Sequence, residues 1–415
     1  MGKKFLMVLV AFLLMASGAY AVDIKFSGSM LNLVGASNNI TGIDSGDYSD
    51  ANKEGDIFGA TRVRPTMTVT SDDGMAKFVY GAEIGGAVWG DSGSVGKGVG
   101  FGFEGDGVNV ETRLAYGVFS LEPFGAPGAV AMGLQPVSIN GAVYDDNAAG
   151  ITYDYKTDAY SLLLGYVWNN SDYNETELKN TNGFSNDDDH LAFIKLDYKV
   201  DDTTTLGGFF AYEDPYGSDN TKYYFGFTGN TMVDPVELAW DIIYLGGKEN
   251  ANVDRSAWYM DFTAGFQVNE QLKLAGSVIY SSGDDDPNVD KNKTFEDAEK
   301  SKNMAPGILF ANGYLGAFID GASYGQYGYF GLMLDSAYKI DDKSSLKGAV
   351  IWHNLAKDNA AGDKDLGLEL NGTYKYAYNQ NTTFFVEAAY IVVGDALAKN
   401  ADDVYYIGSG FKFKF

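Results

Sequence analysis

The chain has 415 residues, with 56 acidic against 30 basic side chains and a formal net charge of −26 at pH 7. This balance argues against nucleic-acid binding, because the neutralisation of phosphates requires clustered Lys and Arg. The lack of cysteine excludes thiol catalysis, disulfides and cysteine metal sites, whereas 29 Tyr, 26 Phe and 52 Gly against 8 Pro favour pleated sheets and tight turns.

The first 21 residues have the three parts of a secretory signal peptide. A positively charged region with two lysines precedes an unbroken apolar run over residues 5–15. Ala19-Tyr20-Ala21 then matches the A-x-A pattern of a cleavage site. The apolar run is too short for a spanning helix, which needs about 20 residues. We therefore expect residues 1–21 to direct export through the periplasm and to be removed, which leaves residues 22–415 as one domain.

After the signal peptide, the chain consists of segments in which apolar and polar residues alternate. Within residues 194–198, for example, Ile, Leu and Tyr alternate with Lys and Asp. Such alternation places one face of a strand against an apolar surrounding and the other in water. The eighteen predicted segments are 23–36, 59–71, 75–90, 107–122, 128–136, 149–156, 159–170, 190–200, 203–213, 221–230, 235–248, 256–268, 271–282, 327–340, 344–355, 364–378, 382–395 and 402–415.

The connections alternate between tight turns and long polar stretches such as 37–58, 91–106, 171–189 and 283–326. Short turns at one end and long loops at the other are typical of an outer-membrane barrel with periplasmic turns and extracellular loops. The sequence therefore predicts an all-β fold, a transmembrane antiparallel β-barrel of 16–18 strands whose charged faces line the lumen. The tight turns contain turn-forming residues at Asp72-Asp73-Gly74, Thr157-Asp158, Asp201-Asp202, Asn269-Glu270, Asp341-Asp342 and Asn379-Gln380-Asn381.

The last segment carries an aromatic face that includes Phe411, Phe413 and Phe415, with Lys412 and Lys414 on the opposite face. This ending resembles the last strand of bacterial outer-membrane barrels, in which the barrel assembly machinery recognises a terminal aromatic residue. The resemblance implies that the three phenylalanines form an assembly signal.

Three further stretches are residues 58–65 (FGATRVRP), 131–136 (AMGLQP) and 144–150 (YDDNAAG). With the signal peptide and the final strand, they resemble the homotrimeric porins of anaerobic sulfate-reducing and related bacteria, within the general-porin superfamily. The resemblance implies a homotrimer in the bacterial outer membrane, surrounded by lipid and lipopolysaccharide. It also implies that each protomer holds its own pore, narrowed by an infolded loop after the fifth strand.

The loop at that position, 137–148, is only about a dozen residues long, whereas the infolded loop of general porins is usually long. Either the constriction is shallow, or the loop 283–326 contributes to it. The apolar residues 308–318 of that loop have three open interpretations, because they can plug the lumen, pack on a neighbouring protomer or form an uncounted pair of strands.

Charged residues on predicted lumen faces suggest a constriction in the pore. Opposed charges across a narrow pore create a transverse field that orients dipolar solutes and disfavours apolar ones. The alternative is a set of structural salt bridges with no effect on permeation. The predicted constriction has a basic wall of Arg62, Arg64, Lys77 and Arg113, with Glu83 and Glu111 among them, facing Asp145 and Asp146 of the infolded loop.

The remaining motifs give no catalytic set and no cofactor site. The only histidines are His190 and His353, so we expect no enzyme. Asp286, Asn288 and Asp290 resemble a calcium loop only in part, because Lys291 stands where that loop requires Gly. Solvated loop charge is the simpler interpretation of these acidic residues.

The sequence thus predicts an outer-membrane porin through which small hydrophilic solutes and ions diffuse passively, with a weak preference for cations that follows from its acidic loops. A substrate-selective channel remains an alternative, because the aromatic-rich residues 308–330 would offer a stacking track, although membrane girdles use the same residue types. A closed structural or adhesive surface barrel is the other alternative, and conductance distinguishes it from both channels.

Overall fold

The computed structural model describes residues 22–38, 56–89, 110–171, 188–214, 220–286, 290–298, 304–318, 321–399 and 401–415. The predicted signal peptide lies outside these residues. No helix in the described part of the chain is long and apolar enough to cross a membrane. Its helical elements are the single 3-10 turns Glu122–Phe124, Leu315–Ala317 and Gly325–Tyr327.

Long antiparallel strands form one closed sheet, in which each strand pairs with its neighbours in sequence and β1 pairs with both β2 and β19. The predicted fold class and the count of eighteen barrel strands are confirmed. The strands are β1 Asp23–Ser37, β2 Asp56–Thr70, β3 Ala76–Val88, β4 Val110–Ser120, β5 Ala129–Asn140, β6 Tyr144–Lys156, β7 Tyr160–Ser171, β8 Asp188–Lys199, β9 Thr204–Asp214, β10 Thr221–Val233, β11 Val236–Asn250, β12 Val253–Gln267, β13 Leu272–Ser281, β14 Lys291–Asn292, β15 Tyr329–Lys339, β16 Ser344–Leu355, β17 Asp365–Ala377, β18 Thr382–Val393 and β19 Val404–Lys414. The two-residue β14 is not a barrel stave, since it pairs in parallel with β12 inside the β13–β15 connection.

Alternating side chains divide every barrel strand into an outer and an inner face. Ile194, Leu196 and Tyr198 on β8 are 44–50% exposed, whereas Lys195 and Asp197 between them are partly buried. Large exposed apolar residues recur on the outer faces of strands all around the barrel, as at Phe227, Trp258 and Val350. A continuous exposed apolar surface of this kind is stable only against lipid.

At the end of the barrel that carries the predicted tight turns, short connections join neighbouring strands. At three of them an aspartate accepts hydrogen bonds from the backbone two or three residues ahead: Asp73 from Met75, Asp201 from Thr203 and Thr204, and Asp341 from Lys343 and Ser344. This is the Asx-turn geometry expected of aspartate in such positions. We call this end the turn end and the opposite end the loop end.

The loop end differs from the expectation that all its connections are long. Strands β5 and β6 extend to Asn140 and Tyr144, and β11 and β12 to Asn250 and Val253, so both pairs are tight hairpins. The segment 137–148, expected to be a loop, is therefore mostly paired strand. Its strand character escaped the sequence prediction because the pairing continues beyond the barrel wall.

The tip of the β5–β6 hairpin leaves the barrel wall. Strand β5 pairs with β4 only from Ala129 to Leu134, and β6 pairs with β7 only from Ala149 onwards. Residues 135–148, which we call the hairpin tip, pair with each other alone. At the departure point, Gly133 has a φ of +121°, and a Cβ there would lie 2.3 Å from the carbonyl oxygen of Ala115. Only glycine fits this backbone conformation and close approach.

Candidate functional site

The described parts of the connection between β13 and β15 lie inside the barrel. We call these parts, residues 282–286, 290–298, 304–318 and 321–328, the lumen segment. At one wall, the Glu296 carboxylate lies 3.1 Å from Arg255 of β12 and 3.8 Å from Lys222 of β10. Lys222 also pairs with Glu213 of β9 at 3.3 Å, and both side chains of this pair are fully buried. The Lys222–Glu213 pair joins β10 to β9 within the wall, and the contacts of Glu296 attach the lumen segment to that wall.

At the other wall, the lumen segment contacts β17, β18 and β2. The Glu369 carboxylate of β17 accepts the backbone N–H groups of Ile308 and Leu309 at 2.7 and 3.0 Å. Arg62 of β2 donates to the carbonyl oxygen of Ala317 at 3.1 Å. Strands β10 and β2 lie nearly opposite each other in the ring of barrel strands, so a segment that contacts both reaches from one side of the lumen to the other.

Apolar packing accompanies these polar contacts. Ile308, Leu309, Phe310 and Leu315 are almost fully buried against inward side chains of the barrel. Of the three interpretations left open for residues 308–318, the structure thus has these residues inside the barrel. In the described part of the connection the only strand is β14, so 308–318 is not a further pair of strands.

The hairpin tip also enters the lumen. Val137, Ile139 and Val143 are buried in one cluster with inward residues of β8 to β12. The backbone N–H of Ala298 in the lumen segment donates to the carbonyl oxygen of Val143 at 2.9 Å. The tip and the lumen segment therefore narrow the same cross-section from two directions.

The structure brings together four of the eight residues predicted for the constriction. Arg64 donates to Glu83 at 2.6 Å, and Arg113 lies 3.8 Å from the same carboxylate. Arg62 lies within electrostatic range of all three. These side chains are partly exposed, so each ion pair contributes about 0–1 kcal/mol to stability.

The other four predicted residues have different positions relative to this group. Glu111 is exposed and directly opposite Glu83 across the β3–β4 ladder. Asp145 and Asp146 are exposed on β6 near the end of the hairpin tip, and not in a loop. Lys77 is exposed near the turn end of β3, about 20 Å along the strand from Glu83, because each strand residue advances about 3.3 Å.

Sequence reasoning missed further charged residues of the lumen. Lys375 of β17 lies 5.2 Å above the ring of Tyr314, and Lys412 of β19 is within electrostatic range of Arg62, Arg64 and Lys375. These residues widen the basic wall to span β17 to β4. The signal that could have found them is their inward position in the alternating pattern of their strands.

A pair of carboxylates faces the lumen on the wall opposite β2. Asp241 of β11 and Asp261 of β12 are directly paired across the ladder, and both are partly buried. The Asn140 side chain of the hairpin tip donates a hydrogen bond to Asp241. Strand β11 lies halfway around the ring from β2, so acidic and basic walls face each other.

Burial and the nearby Glu387 carboxylate raise the pKa of Tyr314 in the lumen segment, which keeps its phenol neutral. The ring stacks on Phe385 with a centroid distance of 3.6 Å. Lys375 therefore meets a neutral aromatic face on the lumen segment.

The residues that partly resemble a calcium loop do not form a described metal site. Asn288 lies outside the described residues, and the carbonyl oxygen of Asp290 accepts the backbone N–H of Asp254. The N–H of Asp286 donates to the Asp284 carboxylate. Within the described ranges, no group of three or more His, Asp or Glu is arranged to hold a metal ion.

The two histidines have packing and hydrogen-bonding contacts in the barrel. His353 of β16 is fully buried, with its Nδ1 atom 2.8 Å from the Tyr329 hydroxyl and its Nε2 atom 3.5 Å from Glu369. His190 of β8 stacks on Tyr166 at a ring distance of 5.3 Å.

The predicted assembly-signal residues lie where the barrel closes. Phe411 packs edge-on against Phe384 of β18, and Phe413 stacks with Phe415. The backbone of Phe415 exchanges two hydrogen bonds with Gly28 of β1, at 2.8 and 3.1 Å. These three residues thus help to join the last strand to its neighbours.

Comparison with known proteins identifies the fold. No protein-family model and no curated relative matches the chain. Among solved structures it is similar to OccAB4 of Acinetobacter baumannii (10% identity, covering 95% of this chain and 98% of that chain, TM-score 0.57) and to OpdQ of Pseudomonas aeruginosa (13%, 95% and 98%, TM-score 0.55). A third is OccK5 (OpdH) of Pseudomonas aeruginosa (12%, 95% and 98%, TM-score 0.53).

At 10–13% identity, these neighbours show the fold alone. A closed antiparallel barrel with an apolar outer surface and a charged lumen has the architecture of a transmembrane β-barrel. The similarity does not single out the porins of sulfate-reducing bacteria, which the sequence resemblance had implied.

Proposed function

We propose that this barrel is a porin, a water-filled channel for the passive diffusion of small hydrophilic solutes and ions across the bacterial outer membrane. The observation that carries the proposal is the set of charged side chains on opposite inner walls of a closed barrel. Charges in a lumen are solvated at low cost only if water fills the space between them. A dry, closed barrel would have to pair every one of them.

The two walls give the channel a constriction with a transverse field. Arg62, Arg64 and Arg113 contribute the positive side, and Asp241 and Asp261 lie across the barrel from them. Asp145 and Asp146 add negative charge at the hairpin tip. Such a field orients dipolar solutes and disfavours apolar ones.

The weak cation preference is a further part of the proposal. It rests on the net charge of −26, which attracts cations to the mouth of the channel. The basic wall at the constriction opposes this preference, so we expect it to be small.

A substrate-selective channel is the second candidate, and the lumen segment favours it. A folded segment that crosses the pore and presents Tyr314 beneath Lys375 offers an aromatic surface and a fixed charge to a passing solute. General diffusion needs neither. A closed adhesive barrel is the remaining alternative, because the same segment would also suit a plug.

The partners in this proposal are those that the porin class implies. We propose a homotrimer in lipid and lipopolysaccharide, assembled by the barrel assembly machinery, with Phe411, Phe413 and Phe415 as the assembly signal. The acidic constriction residues and the calcium-like residues near Asp286 require no cofactor in this scheme.

Solute uptake into liposomes separates the three candidates. The refolded protein is reconstituted, and swelling rates are measured for neutral sugars of increasing size and for amino acids. A porin gives rates that fall smoothly with solute size. One solute that enters much faster than others of its size identifies a selective channel, whereas a folded, inserted barrel that admits none contradicts both channel proposals.

A further inference from the structure

Two buried carboxylates on neighbouring strands face the lumen segment. Glu369 of β17 and Glu387 of β18 are 0% and 1% exposed. A carboxylate removed from water is strongly destabilising unless hydrogen bonds replace its hydration. The hydrogen-bond donors around these two carboxylates therefore indicate their role.

Both carboxylates bind the lumen segment in the same way. Glu369 accepts the N–H groups of Ile308 and Leu309, and Glu387 accepts those of Tyr314 and Leu315 at 2.9 and 2.8 Å. In each case two consecutive backbone donors meet the two oxygens of one carboxylate. Charge-assisted hydrogen bonds of this kind are about twice as strong as neutral ones.

A left-handed glycine precedes each pair of donors. Gly307 has a φ of +96° and Gly313 a φ of +88°. A Cβ on Gly307 would lie 2.5 Å from the Glu369 carboxylate, and one on Gly313 would lie 2.9 Å from that of Glu387. The sequences Gly307-Ile308-Leu309 and Gly313-Tyr314-Leu315 thus repeat one anchor, in which glycine lets the backbone approach a wall carboxylate closely.

Other contacts of the two carboxylates come from the barrel wall. The Asn371 amide donates to Glu369 at 2.5 Å, and the Tyr406 hydroxyl donates to Glu387 at 2.8 Å. These wall residues hold the carboxylates in orientation. The lumen segment supplies the remaining donors, so its release would leave both carboxylates short of partners.

From this geometry we propose that Glu369 and Glu387 are positioning residues that hold the lumen segment across the pore and thereby set the width of the channel. The effect on channel width rests on the proposed porin function, whereas the anchoring of the lumen segment does not depend on it. The far end of the segment is held separately, by Glu296 on Arg255 and Lys222. Loss of the two anchors therefore frees the middle of the segment without detaching it from the barrel.

The test uses Glu369→Gln with Glu387→Gln in the full chain. Glutamine preserves the side-chain shape but offers one neutral acceptor oxygen in place of a charged pair. Because the chain contains no cysteine, Ala305→Cys provides a unique reporter at a lumen-segment residue that is 1% exposed. The matched control is Glu237→Gln, which removes a lumen-side carboxylate whose ion-pair partner is Lys273 of β13.

Two readouts are taken on protein whose folding is confirmed by heat-dependent mobility on gels. We expect the double variant to label with a small maleimide about tenfold faster than the reporter chain with native anchors, because the segment opens more often. We also expect larger and noisier conductance steps. Glu237→Gln should match the native anchors in both readouts.

Labelling that is no faster in the double variant than in the control overturns the anchoring proposal. If the double variant does not fold, Glu369→Gln alone carries the same test, since the reporter lies beside its anchor. Faster labelling in a barrel that never conducts contradicts the porin function but supports the anchors. Normal conductance with unchanged labelling supports the porin function and contradicts the anchors.

Discussion

Individual charged side chains in this barrel have different roles according to where they lie. Lys222 and Glu213 are fully buried and hold structure, whereas Arg62, Arg64 and Arg113 remain partly exposed to the lumen. A charge that retains contact with water acts on mobile ions, because its field is not cancelled by a buried partner. The basic wall is therefore the part of the site that mutation should reveal in permeation.

Replacement of Arg62 and Arg64 by Ala should shift ion selectivity towards cations. The change removes two positive charges and leaves Glu83 without its 2.6 Å partner. We expect the permeability ratio of K⁺ to Cl⁻ to rise about twofold or more at low salt, where screening is weak. The reversal potential in a KCl gradient measures this ratio.

The matched control removes two positive charges at the turn end, with Lys199→Ala and Lys339→Ala. These lysines pair with Asp202 and Asp342 three residues ahead on the same turns. The control should leave selectivity nearly unchanged. An equal shift in both proteins would mean that net charge, and not the constriction, sets the preference.

At the turn end, Asp201 offers a prediction about stability and pH. Hydrogen bonds from Thr203 lower the pKa of Asp201 below its ordinary value of 3.8. Since the folded pKa is the lower one, the contribution of the ionised carboxylate is present above about pH 3.8 and is lost as the pH falls through the folded pKa. Asp201→Ala should lower the urea midpoint at pH 7, and Asp201→Asn should retain most of it.

The two substitutions also separate charge from geometry. Asparagine keeps the acceptor oxygen but does not titrate, so the difference between wild type and Asp201→Asn should vanish at low pH. A difference that persists unchanged from pH 7 to pH 3 would contradict this assignment.

At the scale of the element, the strands were predictable and the hairpin tip was not. Period-two alternation identified all eighteen staves, because each stave must present one face to lipid and one to water. The hairpin tip lies within the lumen, where it packs against protein and not against lipid. Its apolar and polar residues therefore need not alternate as they do in a strand of the barrel wall. Residues 137–148 therefore gave no sign of being paired strand, although the inward course implied by the porin resemblance matches the structure.

Gly133→Ala tests whether the bend at Gly133 directs the hairpin inward. The φ of +121° and the 2.3 Å approach of a Cβ to the Ala115 carbonyl oxygen mean that alanine requires the backbone to move. We expect a loss of more than about 1 kcal/mol in unfolding free energy and a lower refolded yield. Urea titration of the refolded barrel measures the unfolding free energy, and heat-dependent mobility on gels measures the refolded yield.

Gly141→Ala, at the end of the same hairpin, is the control, because a Cβ there meets nothing within 4 Å. It should be close to neutral. If Gly133→Ala is equally neutral, the hairpin does not depend on this bend.

The candidate site was predictable only in part, because some of its contacts join residues that are far apart in the sequence. Alternation placed Arg62, Arg64, Glu83 and Arg113 on lumen faces, and neighbouring strands brought them together. It could not give the height of Lys77 along β3, which depends on register and bulges, including one between Gly81 and Ala82. Nor could it pair Arg62 with Ala317, since 255 residues separate them and closure of the barrel joins them.

At the scale of the whole molecule, closure of the sheet makes a lumen, and two infolded elements narrow it. The lumen segment reaches both walls, and the hairpin tip meets it at Val143 and Ala298. Whether the remaining space conducts decides between a porin and a closed surface barrel. In the proposed channel, we expect the net negative charge and the basic wall to determine together which ions pass.

Planar-bilayer conductance of refolded residues 22–415 in a KCl gradient is the most direct test. The porin account predicts large, stable steps with a small reversal potential in the direction of cations, and closure in thirds if the protein is a trimer. Silence from a protein shown to be folded and inserted in the bilayer would contradict it, and would identify the lumen segment as a plug.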